Sequence, residues 1–193
     1  MRVIGLTGSI GMGKSTAAAM LRASGMPVHD ADRCVHRLLA PRGEAVAAVE
    51  RAFPGTRGPA GGIDRKALGA RVFGDPARLR ALEGILHPLV RRAEQRFLAA
   101  ARRQRRRAVV LDVPLLLETD GDQRCDLVLV VAAPPFLQAQ RVLRRPGMTP
   151  ARLAAIRSQQ MPESEKRRRA DVVVPTGLGR RVTFDRLRRA LRR

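Results

Sequence analysis

A chain of 193 residues is long enough to bury a large core as one compact domain, so neither disulfides nor a structural metal are needed to fold it. Hydrophobic residues make up 45%, which excludes a mostly disordered chain, and aromatics only 3%, which leaves Val, Leu, Ile and Ala to build the core and argues against base-stacking platforms for single strands. The formal charge of +21 is carried almost wholly by Arg, with Lys only at 14, 66 and 166; it marks either a solvated basic surface or an anionic partner, and does not choose between nucleotide, phosphorylated cofactor and nucleic acid.

In chain order, Arg2–Thr7 is a short apolar run that reads as a strand. Glycines at 5, 8, 11 and 13 interrupt it before the apolar region of a secretory signal develops. Lys14–Ala23 follows as a helix rich in Ala, Met and Leu, and Met26–His29 as a second short strand. Asp32–Arg107 is largely helical in pattern, broken at Pro41-Arg42-Gly43 and in the Gly/Pro-rich stretch Pro54–Gly62. Asp75-Pro76 starts another helix, His87-Pro88 interrupts or restarts it, and Glu83–Arg103 carries apolar residues at helical spacing. This block is too long for a plain crossover and is expected to protrude as a sub-domain. Ala108–Val113, Leu127–Ala132 and Asp171–Val174 are continuous apolar runs of the kind found in strands buried on both faces of a parallel sheet. The terminal Asp185–Arg193 reads as a basic amphipathic helix. Strands alternating with helices indicate an α/β fold. Cys34 and Cys125 show no metal-type spacing, which fits a reducing, cytoplasmic setting. No apolar run approaches about 18 residues, so no membrane span is expected.

The sharpest motif is Gly8-Ser-Ile-Gly-Met-Gly-Lys14-Ser15, which satisfies G-x-x-x-x-G-K-[ST] between a predicted strand and a predicted helix. Glycines let successive N–H groups turn toward one point, and the helix start adds partial positive charge there. Gly8, Gly11, Met12, Gly13, Lys14, Ser15 and Thr16 are therefore the expected triphosphate cradle, with Lys14 on the β- and γ-phosphates and Ser15 on Mg²⁺. Met12 is expected to place a flexible side chain at the rim. No N-K-x-D guanine motif is present, and a small chain with a helical insert and Arg-rich later segments favours an ATP-dependent small-molecule kinase. Asp30 and Asp32 follow the second strand, where an acid can orient or deprotonate an attacking hydroxyl; capping the next helix is the structural alternative for Asp32. Asp112 ends an apolar strand and either binds Mg²⁺ through water or is a buried, hydrogen-bonded acid. Arg141 and Arg145, four apart, are expected on one helix face, suited to neutralising a transferring phosphoryl.

The series "GLTGSIGMGKS", "DADRCVHRLL", "IDRKALGARVF", "LEGILHPLVR", "LDVPLLLE", "QRVLRRPGMT" and "QQMPESEKRRRADVVV" resembles the dephospho-CoA kinase family over Met1 to about Gly177. The resemblance implies a P-loop kinase-type five-stranded parallel sheet flanked by helices, a helical acceptor-binding sub-domain inserted at about residues 33–107, and a lid at about 136–165, all within one kinase domain. It implies transfer of the ATP γ-phosphoryl to the ribose 3′-hydroxyl of dephospho-CoA, with Mg²⁺. Asp32, Lys14 and Arg141 take the catalytic positions. Arg145 and Thr176 join the ATP side, while His87 and Leu115 join Asp32 on the acceptor side. Ser15 and Asp112 hold the metal. His36 stands where the family commonly has Arg, and Thr176 lies where it has a strand ending in Asp-Asn. Nucleic acid and membrane partners are not expected, and a monomer or weak oligomer is. A different small-molecule kinase and a nucleic-acid-binding ATPase are the rival readings.

Overall fold

The computed structural model describes Met1–Arg192; Arg193, the last residue of the predicted terminal helix, lies outside the described residues. Five strands, β1 (Arg2–Thr7), β2 (Val28–Asp30), β3 (Ala108–Asp112), β4 (Leu127–Ala132) and β5 (Val172–Pro175), form one parallel sheet in the order β2-β3-β1-β4-β5. Nine helices are described: α1 (Lys14–Ala23), α2 (Ala31–Leu39), α3 (Val46–Ala52), α4 (Arg65–Val72), α5 (Pro76–Arg103), α6 (Pro135–Leu143), α7 (Pro150–Ser158), α8 (Glu163–Arg169) and α9 (Arg180–Arg192). Among the described residues no helix is long and apolar enough to cross a membrane.

The chain divides into two compact units, one of Met1–His29 with residues from Ala101 onward, the other of Asp30–Ala100. In the first, β4 shows why its strand has no polar residue. Leu127, Leu129 and Val131 enter one core with α1 and α9, while Val128 and Val130 enter a second core with Leu116 and Leu117. Alternating side chains thus meet apolar partners on both faces of the sheet. In the second unit, Cys34 and Leu38 of α2, Val49 of α3, Leu68 of α4 and Leu82 and Leu86 of α5 close a separate helical core.

Several predicted boundaries move. The second strand runs Val28–Asp30 rather than Met26–His29, the third ends at Asp112 rather than Val113, and the fifth runs Val172–Pro175 rather than Asp171–Val174. The larger difference is α5, which runs unbroken through Pro88. Proline removes one helical hydrogen bond and crowds the carbonyl four residues back. That residue is Gly84, and Leu82 and Leu86 before the proline pack into the same core as Leu89 and Val90 after it. Burial on both sides of Pro88 outweighs the local cost.

Candidate active site

The cradle begins where β1 ends. Gly8 has φ 156°, and a Cβ there would strike the Val131 side chain and lie 2.8 Å from its carbonyl oxygen, so only glycine lets the loop pass β4. Gly13, at φ 90°, is the N-terminal cap of α1, and a Cβ on it would press on the Thr176 hydroxyl at 3.0 Å. Met12 N–H donates to Ser9 O at 3.1 Å, and Thr16 and Ala17 N–H both donate to Gly13 O at 3.1 Å. The Gly13, Lys14 and Ser15 N–H groups have no backbone acceptor among the described residues and lead out of the helix start, which makes it an anion site. Ser15 and Thr16 are exposed in that first turn.

The Met12 side chain is not at the rim. It is 3% exposed, belongs to the core under the loop, and its Sδ accepts from Ala133 N–H at 3.1 Å. An unbranched thioether adapts to that irregular space and anchors the loop from beneath.

Lys14 Nζ donates to Asp112 Oδ1 at 2.6 Å, and Arg22 lies 3.8 Å from Asp112 Oδ2. The register places Asp112 beside Leu6 on the neighbouring strand, just before the cradle. The Lys14 side chain is 14% exposed and Asp112 3%. At this separation the direct attraction is about 6 kcal/mol for an effective dielectric near 20, and desolvation of two ions removes most of it. A triphosphate, with several negative charges, can therefore compete for Lys14. Asp112 is thus a buried, hydrogen-bonded acid whose partner is the cradle lysine.

Behind the loop, Thr176 Oγ1 donates to Met12 O at 2.6 Å. Arg141 donates to Thr176 O at 2.7 Å, Thr176 Oγ1 at 3.2 Å and Gly11 O at 3.4 Å. Arg141 and Thr176 thus brace the cradle backbone from α6 and the end of β5. Arg145 does not share a helix face with Arg141. α6 ends at Leu143, and Arg145 sits exposed in the following turn, where its N–H donates to Val142 O at 3.0 Å.

Several residues around the loop had no role assigned from sequence. Ile10 N–H donates to Gln160 Oε1 at 3.2 Å, and Ile10 O accepts from Gln138 Nε2 at 2.8 Å. Gln138 Oε1 in turn accepts from Arg157 of α7. Ser9 Oγ donates to Glu163 Oε2 at 3.4 Å. Burial pushes the Glu163 carboxyl above its ordinary range, with Arg167 and the Ser9 hydroxyl acting the other way. Lys166 is fully buried and lies 2.7 Å from Glu118 Oε1, which also accepts from Met161 N–H at 3.1 Å. A cleft of about 670 Å³ opens here, its walls including Ala133, Pro135, Gln138, Arg157, Arg167 and Gly177. The signal in the sequence was Gln138, a polar residue one turn from Val142 on the otherwise buried face of α6.

Gln138→Met keeps the length of that side chain but strands the Ile10 carbonyl and the Arg157 guanidinium. We expect the KM for ATP to rise about 10-fold, and melting to fall by about 2–6 °C for the roughly 1–2 kcal/mol of lost hydrogen bonding. Steady-state kinetics with calorimetry check this; an unchanged KM for ATP contradicts it.

On the second unit, Asp30 rather than Asp32 caps α2, its Oδ1 accepting from Arg33 N–H at 2.9 Å. Asp32 is exposed in the first turn of α2 and makes no hydrogen bond or ion pair among the described residues. The capping alternative for Asp32 is thereby removed. His87 is exposed in mid-α5, not at a helix terminus. Leu115, 41% exposed, lies on the first unit in the turn after β3. The structure thus brings Gly8, Gly11, Met12, Gly13, Lys14, Ser15, Thr16, Asp112, Arg141 and Thr176 together around the loop, and leaves Arg145 outside it.

The sequence model of the dephospho-CoA kinase family matches residues 2–177. A dephospho-CoA kinase from Rhodospirillum rubrum is 64% identical over 186 residues, covering 96% of this chain and 88% of its own. One from Mesorhizobium japonicum is 55% identical, covering 93% of this chain and 89% of its own. A crystal structure from Thermus thermophilus superposes with a TM-score of 0.86 at 39% identity, covering 98% of this chain and 95% of that one.

Proposed function

The chain belongs to the dephospho-CoA kinase family of ATP-dependent phosphotransferases, and on that premise we propose how its residues divide the transfer of the ATP γ-phosphoryl to the ribose 3′-hydroxyl of dephospho-CoA. The observations that carry the proposal are the complete phosphate loop with Lys14 held 2.6 Å from Asp112 and, on the second unit, a first-turn acid of α2, Asp32, that is left uncommitted.

The triphosphate lies on the N–H groups of Gly11, Gly13, Lys14 and Ser15, and Lys14 exchanges Asp112 for the β- and γ-phosphates. The base and ribose of ATP take the cleft beside Ala133, Pro135 and Gly177, over a loop that Arg141 and Thr176 hold rigid. Arg141, held at the loop, offsets charge on the migrating phosphoryl, and Arg157 and Arg167, on the wall of that cleft, face the donor. Among the described residues no cluster of three or more His, Cys, Asp or Glu could hold a metal alone. Mg²⁺ takes one or two protein oxygens and completes its shell with phosphates and water. The Ser15 hydroxyl and the Asp112 carboxylate are hard oxygen donors that would hold the ion, which would supply neutralisation of phosphate charge.

Asp32 accepts a hydrogen bond from the ribose 3′-hydroxyl and aligns it with the γ-phosphorus. The oxygen–phosphorus bond forms as the bridge to the β-phosphate breaks. The hydroxyl proton passes to the Asp32 carboxylate, and ADP leaves. The segment 136–165 acts as the lid, and its closing excludes water as a competing acceptor. His87 and Leu115 belong to the acceptor side, and the reaction takes place in the cytoplasm.

A panel of hydroxyl acceptors with Mg·ATP tests the proposal by ADP release. Dephospho-CoA is expected to exceed adenosine, shikimate and gluconate by at least about 100-fold in kcat/KM. ADP release that dephospho-CoA does not raise above the acceptor-free background overturns it.

A further inference from the structure

Glu118, the acid that ends the apolar turn after β3, and Lys166, fully buried in α8, have no role in the function above. A buried ammonium has lost its water and needs a partner. Lys166 Nζ lies 2.7 Å from Glu118 Oε1, and the same oxygen accepts from Met161 N–H at 3.1 Å. Met161 stands in the link between α7 and α8, and its side chain packs on the core formed by Leu116, Leu117, Val128 and Val130. At the far end of α8, Arg169 donates to Leu117 O at 3.1 Å and lies 2.8 Å from Asp122 Oδ2. The turn after β3 thus ties α8 down along its length, and Glu118 is the tie at its head.

That link and the first turn of α8 reach the phosphate loop. Gln160, next to Met161, accepts from Ile10 N–H through Oε1 at 3.2 Å, and Glu163 Oε2 accepts from Ser9 Oγ at 3.4 Å. The consequence follows from the planarity of the peptide. Ile10 N–H shares a plane with Ser9 C=O, which accepts from Met12 N–H at 3.1 Å, so that plane is held at both edges. Ile10 C=O shares the next plane with Gly11 N–H, and Gln138 Nε2 holds the carbonyl at 2.8 Å. In a trans peptide N–H and C=O point opposite ways, so the Gly11 N–H is turned away from the Gln138 amide. Gln160 also takes the Ile10 N–H out of the set that can receive a phosphate, which leaves Gly11 as the first donor of the cradle.

We infer that Glu118 and Lys166 are positioning residues for the phosphoryl donor: through Met161 N–H they set Gln160 on Ile10, and so fix the peptide planes that lead into the cradle. The inference rests on the loop receiving the triphosphate. The Lys166 charge never meets ATP in this account. It holds the Glu118 oxygen at the Met161 N–H, and a neutral acceptor of the same length serves nearly as well.

Glu118→Gln/Lys166→Met and Glu118→Met/Lys166→Met both remove the pair without stranding a buried charge, but only the first keeps an amide oxygen for Met161 N–H. The measurements are the calorimetric Kd for Mg·ATP, the KM for dephospho-CoA and the melting temperature. Glu118→Met/Lys166→Met should weaken ATP binding about 10-fold, and Glu118→Gln/Lys166→Met should stay within about threefold of the wild type. The KM for dephospho-CoA should change by less than about twofold in both. Gln160→Leu leaves the pair intact and should weaken ATP binding by the same factor. Combined with Glu118→Met/Lys166→Met it should weaken binding no further, because both act at one contact. A folded Glu118→Met/Lys166→Met protein with the wild-type Kd overturns the inference. So does Gln160→Leu with the wild-type Kd, or a multiplied loss in the triple variant. Failure of Glu118→Met/Lys166→Met to fold places the pair in the fold rather than in donor positioning and overturns it too. A wild type that binds Mg·ATP but releases no ADP with dephospho-CoA overturns the functional reading and leaves this inference standing.

Discussion

Asp32→Asn is expected to lower kcat with dephospho-CoA by about 10²–10⁴-fold, the range for loss of a positioned general base. The amide can still accept a hydrogen bond but cannot take the hydroxyl proton. The fold should be little affected. Asp32 is exposed and has no hydrogen bond or ion pair among the described residues, and Asp30 provides the cap of α2. What remains is its charge near the helix start, worth about 0.3–1 kcal/mol. The KM for ATP should stay within about twofold, because the carboxylate does not bind the donor in this account. Single-turnover kinetics separate the outcomes. A purely structural Asp32 would leave the chemical step at the wild-type rate, and that result removes it from the reaction.

Lys14→Ala should have two effects that can be told apart. The first is loss of charge stabilisation on the migrating phosphoryl, which is expected to cost about 10²–10³-fold in kcat together with weaker ATP binding. The second follows from the ion pair. Without Lys14, the 3%-exposed Asp112 carboxylate loses its 2.6 Å partner, while Arg22 stays 3.8 Å from its other oxygen. Leaving a buried charge without its main partner destabilises by a few kcal/mol, or about 5–10 °C in melting temperature for a chain of this size. Adding Asp112→Asn removes the stranded charge, so Lys14→Ala/Asp112→Asn should melt near the wild type and remain inactive. Melting and turnover recovering together would mean that the lysine acts only through the fold.

Much of the site was legible in the sequence because its parts are local. The phosphate loop requires glycines at fixed offsets, and Gly8 and Gly13 have the backbone angles and close neighbours that demand them. The buried strands were legible because a sheet covered on both faces leaves no place for alternation, as in β4. The missed features depend on contacts across long stretches of chain. Ile10 and Gln160 are 150 residues apart, and nothing local to either announces the pair. Met12 was misplaced because the motif fixes its place in the loop but not the direction of its side chain, which turns into the core beneath. Arg145 was misplaced because the i, i+4 rule holds only inside a helix, and α6 stops two residues earlier. The break expected at Pro88 ignored the apolar packing on either side of it.

The most direct test is where the phosphate goes. The product made from dephospho-CoA and ATP labelled at the γ-phosphorus can be identified by phosphorus NMR and mass fragmentation. The account predicts one labelled phosphomonoester on the ribose 3′-oxygen, formed in a one-to-one ratio with ADP. Label on the 2′-oxygen or the pantetheine arm, or ADP formed without a phosphorylated acceptor, would contradict it.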